Sequence, residues 1–97
     1  MRTLLWTEQA RSDLAAIHAF ITQDSPHYAQ IVVRQLIAAT DQLAAFPESG
    51  RAVPEFADPH VRELVRRPYR TVYRLVGNDA LHILTLHHGS RRFPSEI

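Results

Sequence analysis

Between Val61 and His88 the chain carries three runs rich in β-branched and aromatic residues, separated by two short breaks. The first break falls at Pro68, which has no N–H to give to a sheet ladder. The second is Gly77-Asn78-Asp79, three residues that tolerate positive φ. The runs read as strands Val61–Arg67, Tyr69–Val76 and Ala80–His88, joined by turns too short for anything but mainly antiparallel pairing. If the bend at Arg67-Pro68 is a two-residue loop, Arg62, Leu64, Arg66, Tyr69, Thr71, Tyr73 and Leu75 share one face. Val61, Glu63, Val65, Arg70, Val72, Arg74 and Val76 then share the other. Both sets mix apolar and charged residues, and a slip of one residue exchanges them. The pattern leaves open which face meets the rest of the chain.

Upstream, Arg2 to Trp6 reads as a short initial strand. Thr7 is placed to cap a helix, with Glu8 in the first turn where the helix dipole favours a carboxylate. Ala10, Leu14, Ile17, Phe20 and Ile21 then recur on one helical face. Ser25-Pro26 is a restart: a capping hydroxyl, then a proline at the first helical position, where its missing N–H costs nothing. Ala29, Val32, Val33, Leu36, Ile37, Thr40, Leu43 and Ala44 follow at helical spacing, and this helix should end near Phe46, before Pro47. The break between the helices is short, so they should form an antiparallel hairpin. Pro47 to Pro59, with three prolines and Gly50, reads as a surface loop. The order is β-α-α-β-β-β. It predicts one α+β domain over residues 1–97, with a helical hairpin packed on one face of a small, mainly antiparallel four-stranded sheet.

A chain of 97 residues can close one hydrophobic core. It has no cysteine, which excludes disulfides and thiolate metal sites and is compatible with a reducing cytoplasm. No run reaches the roughly 18 apolar residues of a membrane span, and the first residues turn polar too soon for a secretory signal. The net charge of +1 conceals an asymmetry. Residues 1–50 have an excess of acids, residues 51–97 an excess of arginine, and the segment from His60 to Arg92 holds seven Arg against Glu63 and Asp79. A field of that sign favours an anionic partner, whether phosphate-bearing or an acidic polypeptide, although charge on strand edges also serves to discourage aggregation. All basic residues are Arg, whose fork grips carboxylate and phosphate bidentately.

Few constellations here carry chemistry. His87 and His88 point to opposite faces of their strand, and His82 lies roughly 20 Å from His88 at strand rise. No metal site and no cofactor is therefore expected. Arg70, His87, His88 and Arg91 could together cleave RNA, with one group taking the ribose 2′-OH proton, another protonating the leaving oxygen, and arginine offsetting charge at phosphorus. The structural alternative is a strand-end histidine bonded to backbone, with Arg91 paired to Glu55 or Asp58. Tyr69 and Tyr73 either stack on bases or pack in the core. Glu63 and Arg70 share a face and read as a structural ion pair.

Several motifs recur in order along nearly the whole chain. They are Trp6-Thr7 leading into Ala10-x-x-Asp13-Leu14-x-x-Ile17, the Asp24-Ser25-Pro26 restart, Leu43-x-x-Phe46-Pro47-x-x-Gly50-Arg51 and Val53-Pro54-Glu55. Val61-Arg62-Glu63-Leu64, Pro68-Tyr69-Arg70-x-Val72-Tyr73-Arg74 and the closing His88-Gly89-x-Arg91 complete the set. Together they resemble the ParE/RelE superfamily of bacterial type II toxins. That resemblance implies a β-α-α-β-β-β fold and a cognate antitoxin whose C-terminal segment wraps the toxin. RelE-like members cut mRNA at the ribosome, using several basic residues and a tyrosine or histidine near the C-terminus. ParE-like members poison DNA gyrase and lack that set. With Phe93 in the terminal aromatic region and a His-Gly-x-Arg ending, the chain looks closer to ParE, which would make it a non-enzymatic binder; ribosome-dependent mRNA cleavage is the alternative. On this reading Arg62, Arg70, Arg74, His88, Arg91 and Arg92 are candidates for target binding. Arg66, Arg70, Tyr73 and Arg74 are candidates for antitoxin binding.

Overall fold

The structure, a computed structural model, describes residues 2–89. Its elements are β1 (Thr3–Trp6), α1 (Glu8–Thr22), α2 (Pro26–Asp41), a single 3-10 turn (Gln42–Ala44), β2 (Arg51–Ala52), β3 (Val61–Arg66), β4 (Tyr69–Val76) and β5 (Ala80–His88). They form an α+β fold with a five-stranded sheet in the order β1-β5-β4-β3-β2. The strand beyond the expected four is β2, two residues inside the Pro47–Pro59 stretch, which pair antiparallel with Arg62 and Glu63. A pair that short carries no periodicity for a sequence pattern to detect. The second helix also stops earlier than expected, at Asp41, with the 3-10 turn filling the remaining distance toward Phe46.

Both helix starts form as their caps dictate. The Thr7 hydroxyl accepts from the Ala10 N–H at 3.1 Å and donates to the Ile83 carbonyl at 2.8 Å, so one side chain ends β1, begins α1 and ties both to β5. Ser25 accepts from the Tyr28 N–H at 3.1 Å, ahead of Pro26 in the first turn.

The bend at Arg67-Pro68 is a two-residue loop, with Arg66 opposite Tyr69. This register decides the question the sequence left open. Leu64, Tyr69, Tyr73 and Leu75 face the helices, where they join Ala10, Leu36, Leu81, Ile83 and Leu86 in the main core. The opposite face carries a smaller cluster, Val53, Val61 and Val72, with Phe56 and Leu84 packed against it. A bulge in β5 makes the two clusters compatible. Val72 lies opposite Thr85 and Tyr73 opposite Ile83, leaving Leu84 as the extra residue. Without it, strict alternation would send Ile83 and Leu86 to opposite faces; with it, both reach the main core and Leu84 turns to the smaller cluster. Asp13 of α1 completes the joint by accepting from the Thr85 hydroxyl and from the Leu86 N–H. At the far edge, β1 runs parallel to β5, with Thr3 opposite Ala80 and Trp6 opposite Ile83.

Candidate functional site

The face of the sheet away from the helices is where the arginines gather. Arg70 and Arg74 lie four residues apart on β4 and so project to the same side. Residues 53–60 cross this side as a strap, anchored by Val53 and Phe56 in the smaller cluster. Two acids of the strap meet the two arginines. Glu55 takes a bidentate grip from Arg70 at 2.7 and 2.8 Å, and Asp58 accepts from Arg74 at 2.9 Å.

Behind Glu55 is a second carboxylate, Glu63, whose side chain is fully buried. It accepts from Arg70 Nε at 2.5 Å and from Arg51 Nε at 2.7 Å. Arg51 reaches it because β2 sets Arg51 directly opposite Glu63 in the ladder. The result is a chain of alternating charge: Arg51, Glu63, Arg70, Glu55. Its physical consequences are unequal. Arg70 is held in its charged form more firmly than usual, first by the bond to Glu55 and then by Glu63, against the opposing effect of burial. The Arg70 bond likewise pulls the Glu55 carboxyl below its ordinary range. Asp58 is lowered as well, first by the N–H of His60 and then by Arg74.

Beyond the network an open cleft of about 550 Å³ lies at the end of the β3–β4 hairpin, with Arg51, Glu55, Arg67, Tyr69, Arg70 and His88 in its walls. His88 stands opposite Tyr69 and meets its ring edge-on, with centroids 5.5 Å apart and planes at 87°. His87 stands opposite Arg70, on the other face of the sheet. The two histidines therefore do not converge. Among the described residues no group of three His, Cys, Asp or Glu could hold a metal ion. No helix among them is long and apolar enough to cross a membrane.

Residues 4–93 match the family described as ParE toxin of type II toxin-antitoxin system, parDE. The chain belongs to the ParE toxin family. Among curated proteins it is similar to Toxin RelE2 of Caulobacter vibrioides, at 37% identity over 91 residues covering 94% of this chain and 99% of that one. It is also similar to the putative toxin Y4kP of Sinorhizobium fredii, at 35% identity over 98 residues covering 99% and 97%. A solved structure titled as the chromosomal ParDE TA system from P. aeruginosa superposes with a TM-score of 0.73 at 28% identity, covering 91% of this chain and 96% of the other. The chain is thus a type II toxin of the ParE/RelE superfamily.

Within this ParE-family fold the candidate residues have diverse surroundings. Tyr73, expected at an antitoxin contact, is a correction: it is fully buried. Its hydroxyl donates to the Pro47 carbonyl at 2.8 Å and accepts from the Gly50 N–H at 3.0 Å, and burial raises its pKa. It pins the loop to the core and cannot reach a partner in this fold. Arg62 is turned inward too, donating to the carbonyls of Gly50 and Glu48 at 3.0 and 3.3 Å. Arg70 and Arg74 are engaged by the strap, while Arg66 is exposed. Arg91 and Arg92 lie outside the described residues; the suggested partners for Arg91, Glu55 and Asp58, are occupied by Arg70 and Arg74. The residues that sequence reasoning undervalued are Arg51, Glu55 and Asp58. A faint signal was present, since acids three apart in the loop complement arginines four apart on the strand.

Proposed function

We propose that this ParE-family toxin arrests growth in the cytoplasm by poisoning DNA gyrase, and that a cognate antitoxin silences it. The observation that carries the reading is the commitment of Arg70. A nuclease needs that guanidinium free to meet phosphate, and here two carboxylates already engage its Nε, Nη1 and Nη2. Releasing it would leave Glu63 buried without one of its two cationic partners, a change that costs several kcal/mol at typical values, about 3. The divergence of His87 and His88 supports the same conclusion, because an acid and a base must reach one scissile bond together. The test is DNA supercoiling by purified gyrase with toxin in excess. Inhibition relieved by the antitoxin is expected; unimpaired supercoiling would overturn the gyrase target.

One observation favours a second reading, ribosome-dependent mRNA cleavage: His88, Tyr69, Arg67 and Arg70 share the open cleft. Primer extension on translated mRNA distinguishes the two. Cuts that vanish in a folded His88→Ala variant would establish cleavage, while their absence in the wild type, beside inhibited gyrase, supports the first reading.

A further inference from the structure

The strap 53–60 sits on the arginine face in the manner of a bound peptide. Of its residues only Val53 is buried, while Pro54, Glu55, Ala57, Pro59 and His60 are exposed. Pro54 and Pro59 have no N–H to give to a ladder, so the segment cannot be zipped onto the sheet as a strand. Two backbone bonds close turns at the strap itself, from the Phe56 N–H to the Val53 carbonyl and from the Val61 N–H to the Asp58 carbonyl. The sheet takes hold at the strap's end, where the Leu75 N–H donates to the His60 carbonyl at 2.8 Å. Between its ends side chains fasten it: Glu55 on Arg70, Asp58 on Arg74, and Phe56 between them against the smaller apolar cluster. Both carboxylates lie at the rim, Glu55 40% and Asp58 38% exposed, where an ion pair holds only weakly.

We propose that the strap is an internal ligand, displaced when an acidic segment of the target protein, two carboxylates flanking an apolar side chain, docks on Arg70 and Arg74. The inference rests on the gyrase reading above and deepens it by naming the docking surface and what covers it in the free toxin. Arg70 keeps its Nε on the buried Glu63 throughout; only Nη1 and Nη2 pass from Glu55 to the incoming carboxylate. Three features select this occupant. The strap itself displays the chemistry the face accepts, acid, apolar side chain and acid in order. Arg51, Arg70 and Arg74 against Glu63 leave an excess of two positive charges, which the two strap acids match. The floor beneath Phe56 is aliphatic, Val61, Val72 and Leu84, and offers no aromatic platform on which a nucleic-acid base would stack.

The test uses the full chain, purified gyrase and a DNA duplex. The Glu55→Gln/Asp58→Asn variant should inhibit supercoiling at about fivefold to thirtyfold lower concentration than wild type, as expected when two rim ion pairs no longer compete with the target. Hydrogen exchange on wild type supplies a readout independent of any variant's folding. With saturating gyrase the amides of residues 53–60 should exchange at least about tenfold faster than in the free chain, while those of β4 stay protected. Wild type that leaves supercoiling intact overturns the gyrase reading, and this inference with it. Inhibition by wild type with equal or weaker potency in the variant overturns this inference alone, as does unchanged or slowed exchange of the strap in the complex. Loosening of the strap by the DNA duplex without gyrase would assign the face to phosphate and also overturn it.

Discussion

Glu63 is the residue whose loss should be felt most on the arginine face. Its carboxylate is fully buried and accepts from two guanidiniums, so Glu63→Gln leaves the largely buried Arg70 short of compensating charge, while Arg51, 61% exposed, is left to water. A cost of about 2 to 3 kcal/mol in urea unfolding is expected, toward the lower end for buried pairs because Arg70 retains Glu55. Glu55→Gln removes a carboxylate that is 40% exposed, and should cost less than about 1 kcal/mol. The ordering of the two variants is the prediction; equal costs would show that the buried carboxylate is not the centre of the network. Gly50 is the other sensitive position. A Cβ there would fall 2.5 Å from the Tyr73 hydroxyl and 2.7 Å from the Glu63 carbonyl, against the backbone of β3. Gly50→Ala should destabilise by about 1 to 3 kcal/mol, measured by the same unfolding, because neither neighbour can retreat. The alternation of Tyr69 and Tyr73 with arginines allows either base stacking or core packing, and the burial of Tyr73 decides for the core. Period two separates faces but does not say which one is wet.

At the scale of elements, the strap 53–60 is held by a small apolar cluster and two ion pairs, and the ion pairs make it sensitive to acid. Glu55 and Asp58 have ordinary pKa values of 4.5 and 3.8, and both are depressed in the fold. A depressed carboxylate contributes its stability above the ordinary value and loses it as pH falls through the lowered one. Protection factors for amide exchange in the strap should therefore hold above about pH 4.5 and fall as the pH drops below it, through the lowered values of both carboxylates, while those of β4 persist. The Glu55→Gln/Asp58→Asn variant should show the loosened strap already at neutral pH, with little further change on acidification. The strap also shows where a sequence pattern stops being informative. Its prolines announced a loop correctly, but β2 and the two carboxylate contacts depend on where that loop lands on the sheet, and this is set by partners 12 to 16 residues away.

Over the whole molecule, closure depends on the first strand meeting the last. β1 pairs parallel to β5, the Thr3 N–H donates to the Asp79 carbonyl at 2.8 Å, and Leu4 and Trp6 pack on the main core. Removing residues 1–6 should leave β5 as an edge strand and uncover Leu81 and Ile83. Thermal unfolding should then lose its single sharp transition and the protein should aggregate; a sharp, reversible melt would show that β1 is dispensable. The ParDE structure superposes over 91% of the chain, so this architecture is shared with it. By contrast, the chain of charges from Arg51 to Glu55 belongs to individual side chains.

The helix caps at Thr7 and Ser25, the helical faces, the turn at Gly77, where φ is +59°, and the two-residue bend before Tyr69 were all set by neighbours in sequence. Local propensity and periodicity act over a few residues, and that range was enough to determine the element order and the α+β class. Other features became definite only in three dimensions: the bulge at Leu84, the side of the sheet that met the helices, the burial of Tyr73, and the capture of Arg70 by Glu63 and Glu55. Each depends on register between strands or on a distant loop, and the free energy of burying an apolar face or pairing a buried charge belongs to the assembled contacts, not to any segment alone.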